Sequence, residues 1–511
     1  MSHGGAIASG HPLTTAAAEE ILRDGGNAFD AIIAAHFAAC VVEPVLASLG
    51  AGGYLLAEPG DGPCRVYDFF TQTPRKRSAQ ALDFYPISAD FGTIHQEFHI
   101  GRGSTAVPGS VRGMFEIHRD LGSLPMRRLV EPAVRHAREG VRLNAMQASI
   151  MNIVSPIYLA TESARAVFAS RRLSGATLQE GEMLVQPALG ETLEAIAIEG
   201  DRLFYEGDIA EIIAAQSACG GLLTLADLAS YTVERRRPLR LRYRDAELLI
   251  NPPPSSGGVL IGFALALLDR LPAGRKTDAR HVGRLAEVMA VTNKARVDAL
   301  AGGAGGLAHL LDEALLEQYR EQVMQHHYCS RGTTHISVVD GAGNLASMTV
   351  SNGEGCGELV PDTGIMLNNV LGEEDLNPGG FFRWRPDTRM TSMMAPAALH
   401  TPRGRAVLGS GGSNRLRTAI LQVMLNLVDH RMSVEEAVAA PRIHLEHGTL
   451  NLEPDAVAGG LDELRQVFGD VRVWPARNLY FGGVHSVWLA GSGFQAAGDA
   501  RRGGCGVVLG R

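Results

Sequence analysis

The chain has 511 residues, 45% of them hydrophobic and 20% charged, with a formal net charge of −8. That balance suits a large globular core and disfavours nucleic acid or an anionic membrane surface as a partner. The six cysteines are far apart and form no C-x-x-C pair, which reads as reduced thiols rather than a disulfide framework.

The N-terminus, Met1-Ser-His-Gly-Gly5, has neither the basic nor the apolar part of a secretion signal. Apolar runs such as Val259–Leu268 are too short to span a bilayer. A cytoplasmic protein is therefore expected. In chain order, Pro12–Asp24 reads as a helix stopped by Gly25-Gly26. Asn27 is placed to cap a second helix, Ala28–Val42, which is apolar nearly all round and so expected to be buried. Leu49-Gly-Ala-Gly-Gly53 turns into a strand, and Val66–Phe70 is a second strand closed by Thr73-Pro74. From Val107 to Arg142 the period is helical, as it is over Pro187–Glu199, Asp208–Cys219 and His281–Leu300. After Arg331 the pattern changes to strands. His335–Val339 and Leu345–Val350 flank a five-residue loop, Asp340–Asn344, with hairpin chemistry. Arg415–Asp429 and Ser433–Ala439 are helices, and Val487–Leu489 returns to strand. Strands, then helices, then strands suit an α+β protein with helices covering sheets.

Two stretches carry candidate chemistry. Gly332-Thr333-Thr334 opens the strand pattern, and Gly409-Ser-Gly-Gly-Ser413 lies some seventy residues on. A threonine hydroxyl is a poor nucleophile without a base, but a terminal threonine brings its own α-amine, with a pKa of about 8. Scission of Gly332–Thr333 by the Thr333 hydroxyl would create that terminus. Thr-Thr is equally an ordinary way to begin a strand. The glycine run can form a nest of N–H groups ahead of a helix N-terminus, or a plain strand-to-helix turn. It is not a P-loop, because the Gly-Lys-Ser/Thr ending is absent.

His95-Gln-Glu-Phe-His99 has zincin-like spacing, but Gln96 stands where the motif requires glutamate, so no metal site is expected. His444 with His447, and His326-His327, are no stronger. Arg75-Lys76-Arg77 reads as a solvated loop. Glu373-Glu374-Asp375 is either a paired-carboxylate site or a solvated loop ahead of Asn377-Pro378. No cofactor is called for.

The ordered motifs resemble the γ-glutamyltranspeptidase family of N-terminal nucleophile hydrolases over nearly the whole chain. They are Gly4–Ser9, Gly25–Ala31, Leu49–Gly53, Val107–Gly113, Thr333–Asp340, Thr363–Asn369, Pro441-Arg442 and Gly498-Asp499. The resemblance implies a four-layer αββα sandwich made as one precursor. Self-cleavage would leave a large fragment, 1–332, held to a small one, 333–511. Thr333 would be the nucleophile, Gly411 and Gly412 the oxyanion donors, and Ser351 the second hydroxyl that steadies the new amine. The implied substrate is a small amide, with homo-oligomers possible in the family.

The departures fall in the acyl pocket. The family's carboxylate-binding arginine is replaced by Phe70, in Asp68-Phe-Phe-Thr71. A usually polar position is Val370, with an acidic neighbour at Glu373. The family asparagine falls on Gly353, beside Asn352. Of a serine pair after Arg389, Ser392 remains and Met393 follows it. Losing a bidentate arginine removes a contact worth roughly 1.5–3 kcal/mol. Arg75, Arg77 and Arg112 are the candidate replacement cations. An acyl donor other than glutathione is expected, with glutaryl amides and oxamate as alternatives. A metal hydrolase built on His95 and His99, or a relative that never cleaves, are the rival readings.

Overall fold

The computed structural model describes residues 4–77, 81–90, 95–269, 271–301, 306–320, 333–377, 379–412, 414–446 and 448–510. Gly332, His326, His327, Cys329, Ser413 and His447 lie outside the described residues.

Among those residues two antiparallel sheets stack face to face. The first has seven strands, in spatial order Cys505–Leu509, Gly5–Ser9, Thr334–Asp340, Leu345–Ser351, Gly52–Glu58, Arg65–Phe69 and Glu234–Arg236. The second has six: Gly493–Ala497, Gly483–Ala490, Gly404–Gly411, Ala397–Thr401, Ala246–Ile250 and Leu239–Tyr243. Helices cover both outer faces. Pro12–Arg23 and Ala28–Val42 lie on the first sheet, while Ser256–Asp269 and Asn414–Val428 lie on the second. The chain is an α+β, αββα sandwich.

Strand alternation decides which residue enters which layer. Ile7, Leu55, Ala57, Tyr67, Ile336 and Val338 join the core beneath the first helical layer. Their neighbours Ala6, Ala8, Tyr54, Leu56, Val66 and Val339 join the core shared with the second sheet. Each large apolar side chain so buried contributes about 1.5–3 kcal/mol, and a one-residue register slip would exchange the two sets. Ala28–Val42 is buried at every position, as its composition requires. Asn27 caps it, accepting from Phe29 N and Asp30 N at 2.8 and 2.9 Å, and Asp30 accepts in return from Asn27 N at 3.0 Å.

Two expectations need correction, and one pair of readings is resolved. The helical stretch 107–142 is two helices, Ser110–Leu121 and Met126–Glu139, broken between Gly122 and Pro125. The middle of the chain is not purely helical: Glu234–Arg236 ends the first sheet, and Leu239–Tyr243 and Ala246–Ile250 end the second. Gly409, Ser410 and Gly411 end a sheet strand and Gly412, with φ of +118°, leads out of it ahead of the helix Asn414–Val428, which is the strand-to-helix turn of the two readings of that run. The described cysteines form no disulfide. No helix among the described residues is long and apolar enough to cross a membrane.

Candidate active site

Thr333 and Thr334 stand at the start of an interior strand of the first sheet, Thr334–Asp340, and alternation sends their side chains opposite ways. Thr334 turns to the helical layer, where its hydroxyl donates to Glu43 Oε2 at 2.9 Å; Thr14 donates to Oε1 at 2.7 Å. Thr333 is buried, 5% exposed, at the mouth of a pocket on the other side. Thr334 pairs with Val350 across the hairpin, so the same register sets Thr333 opposite Ser351. The Ser351 hydroxyl accepts from Gly353 N at 3.2 Å.

The second sheet closes on this end of the strand. A Cβ on Gly411 would lie 2.0 Å from the Thr333 carbonyl oxygen, and one on Gly409 would lie 2.4 Å from the His335 ring. The small-residue run is thus required by close approach of the two sheets. His335 bonds Thr349 and Ser337 at 2.8 and 2.9 Å, and burial pushes it well below the usual imidazole range.

The pocket beside Thr333 opens to solvent, and about 380 Å³ of atom-free space lies within it and its mouth. Six of the residues singled out in the sequence line it: Phe70, Thr333, Ser351, Glu373, Ser392 and Met393. Asp375, Leu376, Met394 and Leu416 complete the lining. Neither lysine nor arginine is among these residues, whereas two carboxylates are. Glu373 is buried, not solvated, and Asn377 pins its loop through a 2.7 Å bond from Nδ2 to the Glu373 carbonyl. Phe70 is 1% exposed and stacks on Tyr54 with centroids 5.7 Å apart.

Other sequence candidates lie elsewhere. Asn352 is fully buried beside Gly355 and Met366, off the pocket lining. It does not take over the place of Gly353, whose φ of +63° and approach to Asn369 and Glu373 leave no room for a side chain. Val370 is buried in the core. The three candidate cations are engaged away from the pocket. Arg75 pairs with Asp387 at 3.3 Å, Arg77 donates to the Trp384 carbonyl at 3.0 Å, and Arg112 pairs with Asp201 at 2.7 Å over the Tyr205 ring. Arg389 binds the Phe70 carbonyl and lies over the ring of Tyr231. His99 is on a strand, stacked on Phe84, and no group that could hold a metal ion occurs among the described residues.

Two contributors, Glu43 and Arg502, escaped the sequence reading. Asp375 was legible only as part of an acidic triplet. Glu43 and Arg502 touch the Thr333-Thr334 pair from remote parts of the chain, with Arg502 Nη1 3.5 Å from the Thr333 carbonyl oxygen. Arg417 follows Leu416 but is buried with Nη2 on Asn293 at 3.0 Å. Burial first, then Arg296 beside it, lower its pKa to about 9, against the opposing pull of Glu446 and Asp375.

Two facing antiparallel sheets with helices on both outer faces are the αββα sandwich of the N-terminal nucleophile hydrolases. Residues 14–509 match the γ-glutamyltranspeptidase family, to which this chain belongs. An acylase ACY 1 proenzyme from Pseudomonas sp. (strain SE83) is 34% identical, with 89% of this chain and 86% of that protein covered. A glutathione hydrolase proenzyme from Pseudomonas aeruginosa is 30% identical, with 99% and 95% covered. A cephalosporin acylase from Bacillus halodurans has the same fold, with a TM-score of 0.84 at 24% identity over 99% of this chain and 95% of that one. The protein is an enzyme of this hydrolase family.

Proposed function

We propose that this chain is the precursor of an acylase. Cleavage of Gly332–Thr333 frees the Thr333 amine. The Thr333 hydroxyl then attacks the carbonyl of an amide, its proton passing to that amine. Gly411 and Gly412 N–H groups stabilise the tetrahedral oxyanion, the amine leaving group departs with the proton, and water releases the acid from the acyl-enzyme. Ser351, across the hairpin, supports the amine.

The observation that carries the choice of substrate is the pocket lining: Phe70 stands where the family clamp does, and neither lysine nor arginine is among the described lining residues. A γ-glutamyl donor would set its α-carboxylate against that wall. A glutaryl donor would set its terminal carboxylate at the same distance from the scissile bond. The preferred donor is therefore an amide whose acyl chain carries no carboxylate there, seated on Phe70, Leu376, Met393, Met394 and Leu416. The name of the acylase relative agrees with this reading. Rates should be compared for γ-glutamyl, glutaryl, oxamate and hexanoyl amides at equal concentration. The hexanoyl amide is expected to lead γ-glutamyl by tenfold or more in kcat/KM. Glutathione turned over as fast as the best donor would refute the reading.

A further inference from the structure

Arg502 lies in the short turn after Asp499, far from Thr333 in the chain. Its stem packs against Gly483, where a Cβ would fall 2.5 Å from Arg502 Cδ. Its guanidinium ends at the junction of the two sheets. Nη1 is 3.5 Å from the Thr333 carbonyl oxygen. A Cβ on Gly411 would lie 3.3 Å from Nη1, and one on Gly412 would lie 3.1 Å from Nη2. One buried cation therefore touches the residue that carries the base and backs both glycines assigned to the oxyanion.

That charge is not spent on a carboxylate. Asp499 is taken by Arg442 and Arg501 at 2.6 and 3.1 Å. Glu43 lines the same rear cavity as Arg502, but its two oxygens receive Thr14 and Thr334. Among the described residues Arg502 forms no ion pair, and its Nε is buried with no hydrogen-bond partner.

We propose that Arg502 is a positioning residue for the reaction: it fixes the Thr333 carbonyl, keeps the Thr333 amine unprotonated, and adds positive potential behind the oxyanion. A nearby cation disfavours the ammonium form, so the amine is available as a base at lower pH. The same cation favours the negative charge that develops beside Gly411 and Gly412. Other charges near the two residues act in both directions. Arg415 and Arg442 lie on the second-sheet side with Asp499; Glu43 lies on the helical side, and Glu373 and Asp375 lie across the substrate pocket. His485 is held by burial at about 4 and is neutral at pH 7. Burial and the neighbouring Arg415 lower Arg502 to about 10, so it remains a cation throughout the working range.

This inference rests on Thr333 being the terminal nucleophile, and the test separates the two. Full-length protein, processed in the cell, is treated with p-nitrophenyl acetate. The p-nitrophenolate burst is followed from pH 5 to 9, and the acetylated residue is located by peptide mass spectrometry. Acetate on Thr333 in the unsubstituted protein supports the nucleophile; acetate elsewhere, or no burst, overturns both readings. Given Thr333 labelling, Arg502→Met is expected to move the acid limb of the burst rate up by about one pH unit and slow its plateau about tenfold. Arg502→Lys should restore the limb to within a few tenths of a unit. A limb and plateau unchanged in Arg502→Met overturn the proposal. If Arg502→Met does not accumulate as folded protein, Arg502→Gln carries the same test, because it keeps a donor for the carbonyl and removes only the charge. An unshifted limb in that variant likewise overturns it.

Discussion

The carbonyl oxygen of Thr333 lies 2.0 Å from the point where a side chain on Gly411 would begin. The obstacle is backbone, so nothing flexible can yield. Gly411→Ala is expected to push the second-sheet strand away from Thr333, the proposed nucleophile. Turnover should drop a hundredfold or more, comparable to losing an oxyanion donor at about 2.7–4 kcal/mol. Steady-state kinetics on processed protein check this, with KM expected to change far less than kcat.

Phe70 is the second test, through specificity. Phe70→Arg puts a cation on a wall that holds Glu373 and Asp375. The ratio of γ-glutamyl to hexanoyl turnover should rise about tenfold, the low end of a charge-assisted bond. The lost stacking on Tyr54 should cost stability, seen as a lower Tm.

Much of this arrangement was legible beforehand, for reasons that differ residue by residue. Asn27 and the apolar run after it specify a buried, capped helix through local chemistry alone. The hairpin at 334–351 follows from alternation around a polar turn. The pocket's core, with Thr333, Ser351, Phe70, Glu373, Ser392 and Met393 together, was readable only through ordered motifs, because these residues come from distant segments. What stayed hidden was set by tertiary contact. Asn352 sits one residue from the family position, yet a strand-end turn directs it into the core. Glu373 looked like part of a solvated acidic loop until Asn377 folded that loop inward. Arg502 carries no local signal, since its place depends on the meeting of the two sheets.

Ser351 stands opposite Thr333 in the hairpin register. Ser351→Ala should still fold, because its neighbours keep the strand pairing. Loss of a hydroxyl that supports the amine is expected to lower kcat about tenfold, at roughly 1.4 kcal/mol, within the usual range for one hydrogen bond. Ser351→Thr should preserve activity. Parallel kinetics on the two variants check this pair of outcomes.

Stability should fall with acid in two stages. Burial holds the imidazoles of His11, His36 and His485 at about 4, below the ordinary 6.5. The unfolded chain binds these protons first, so stability is complete above pH 6.5 and is lost as pH falls toward 4, by about 1.4 kcal/mol per pH unit for each group. Asp499 supplies the second stage. Burial alone would raise it, but Arg442 and Arg501 hold it at about 2 against an ordinary 3.8. Its contribution persists above pH 3.8 and is lost toward 2. Thermal melts from pH 8 to 3 should show Tm falling from about pH 6.5 downward. Asp499→Asn should cost about 3–5 kcal/mol by leaving two buried arginines short of a partner.

The most direct test is the mass and N-terminal sequence of the purified protein. The 54.4 kDa chain should resolve on a denaturing gel into pieces of about 35 and 19 kDa, in proportion to fragment length. The smaller should begin Thr-Thr-His-Ile-Ser, and Thr333→Ala should remain a single chain without amidase activity. A small fragment with any other first residue, or full activity in uncleaved protein, would contradict the assignment of Thr333 as a terminal nucleophile.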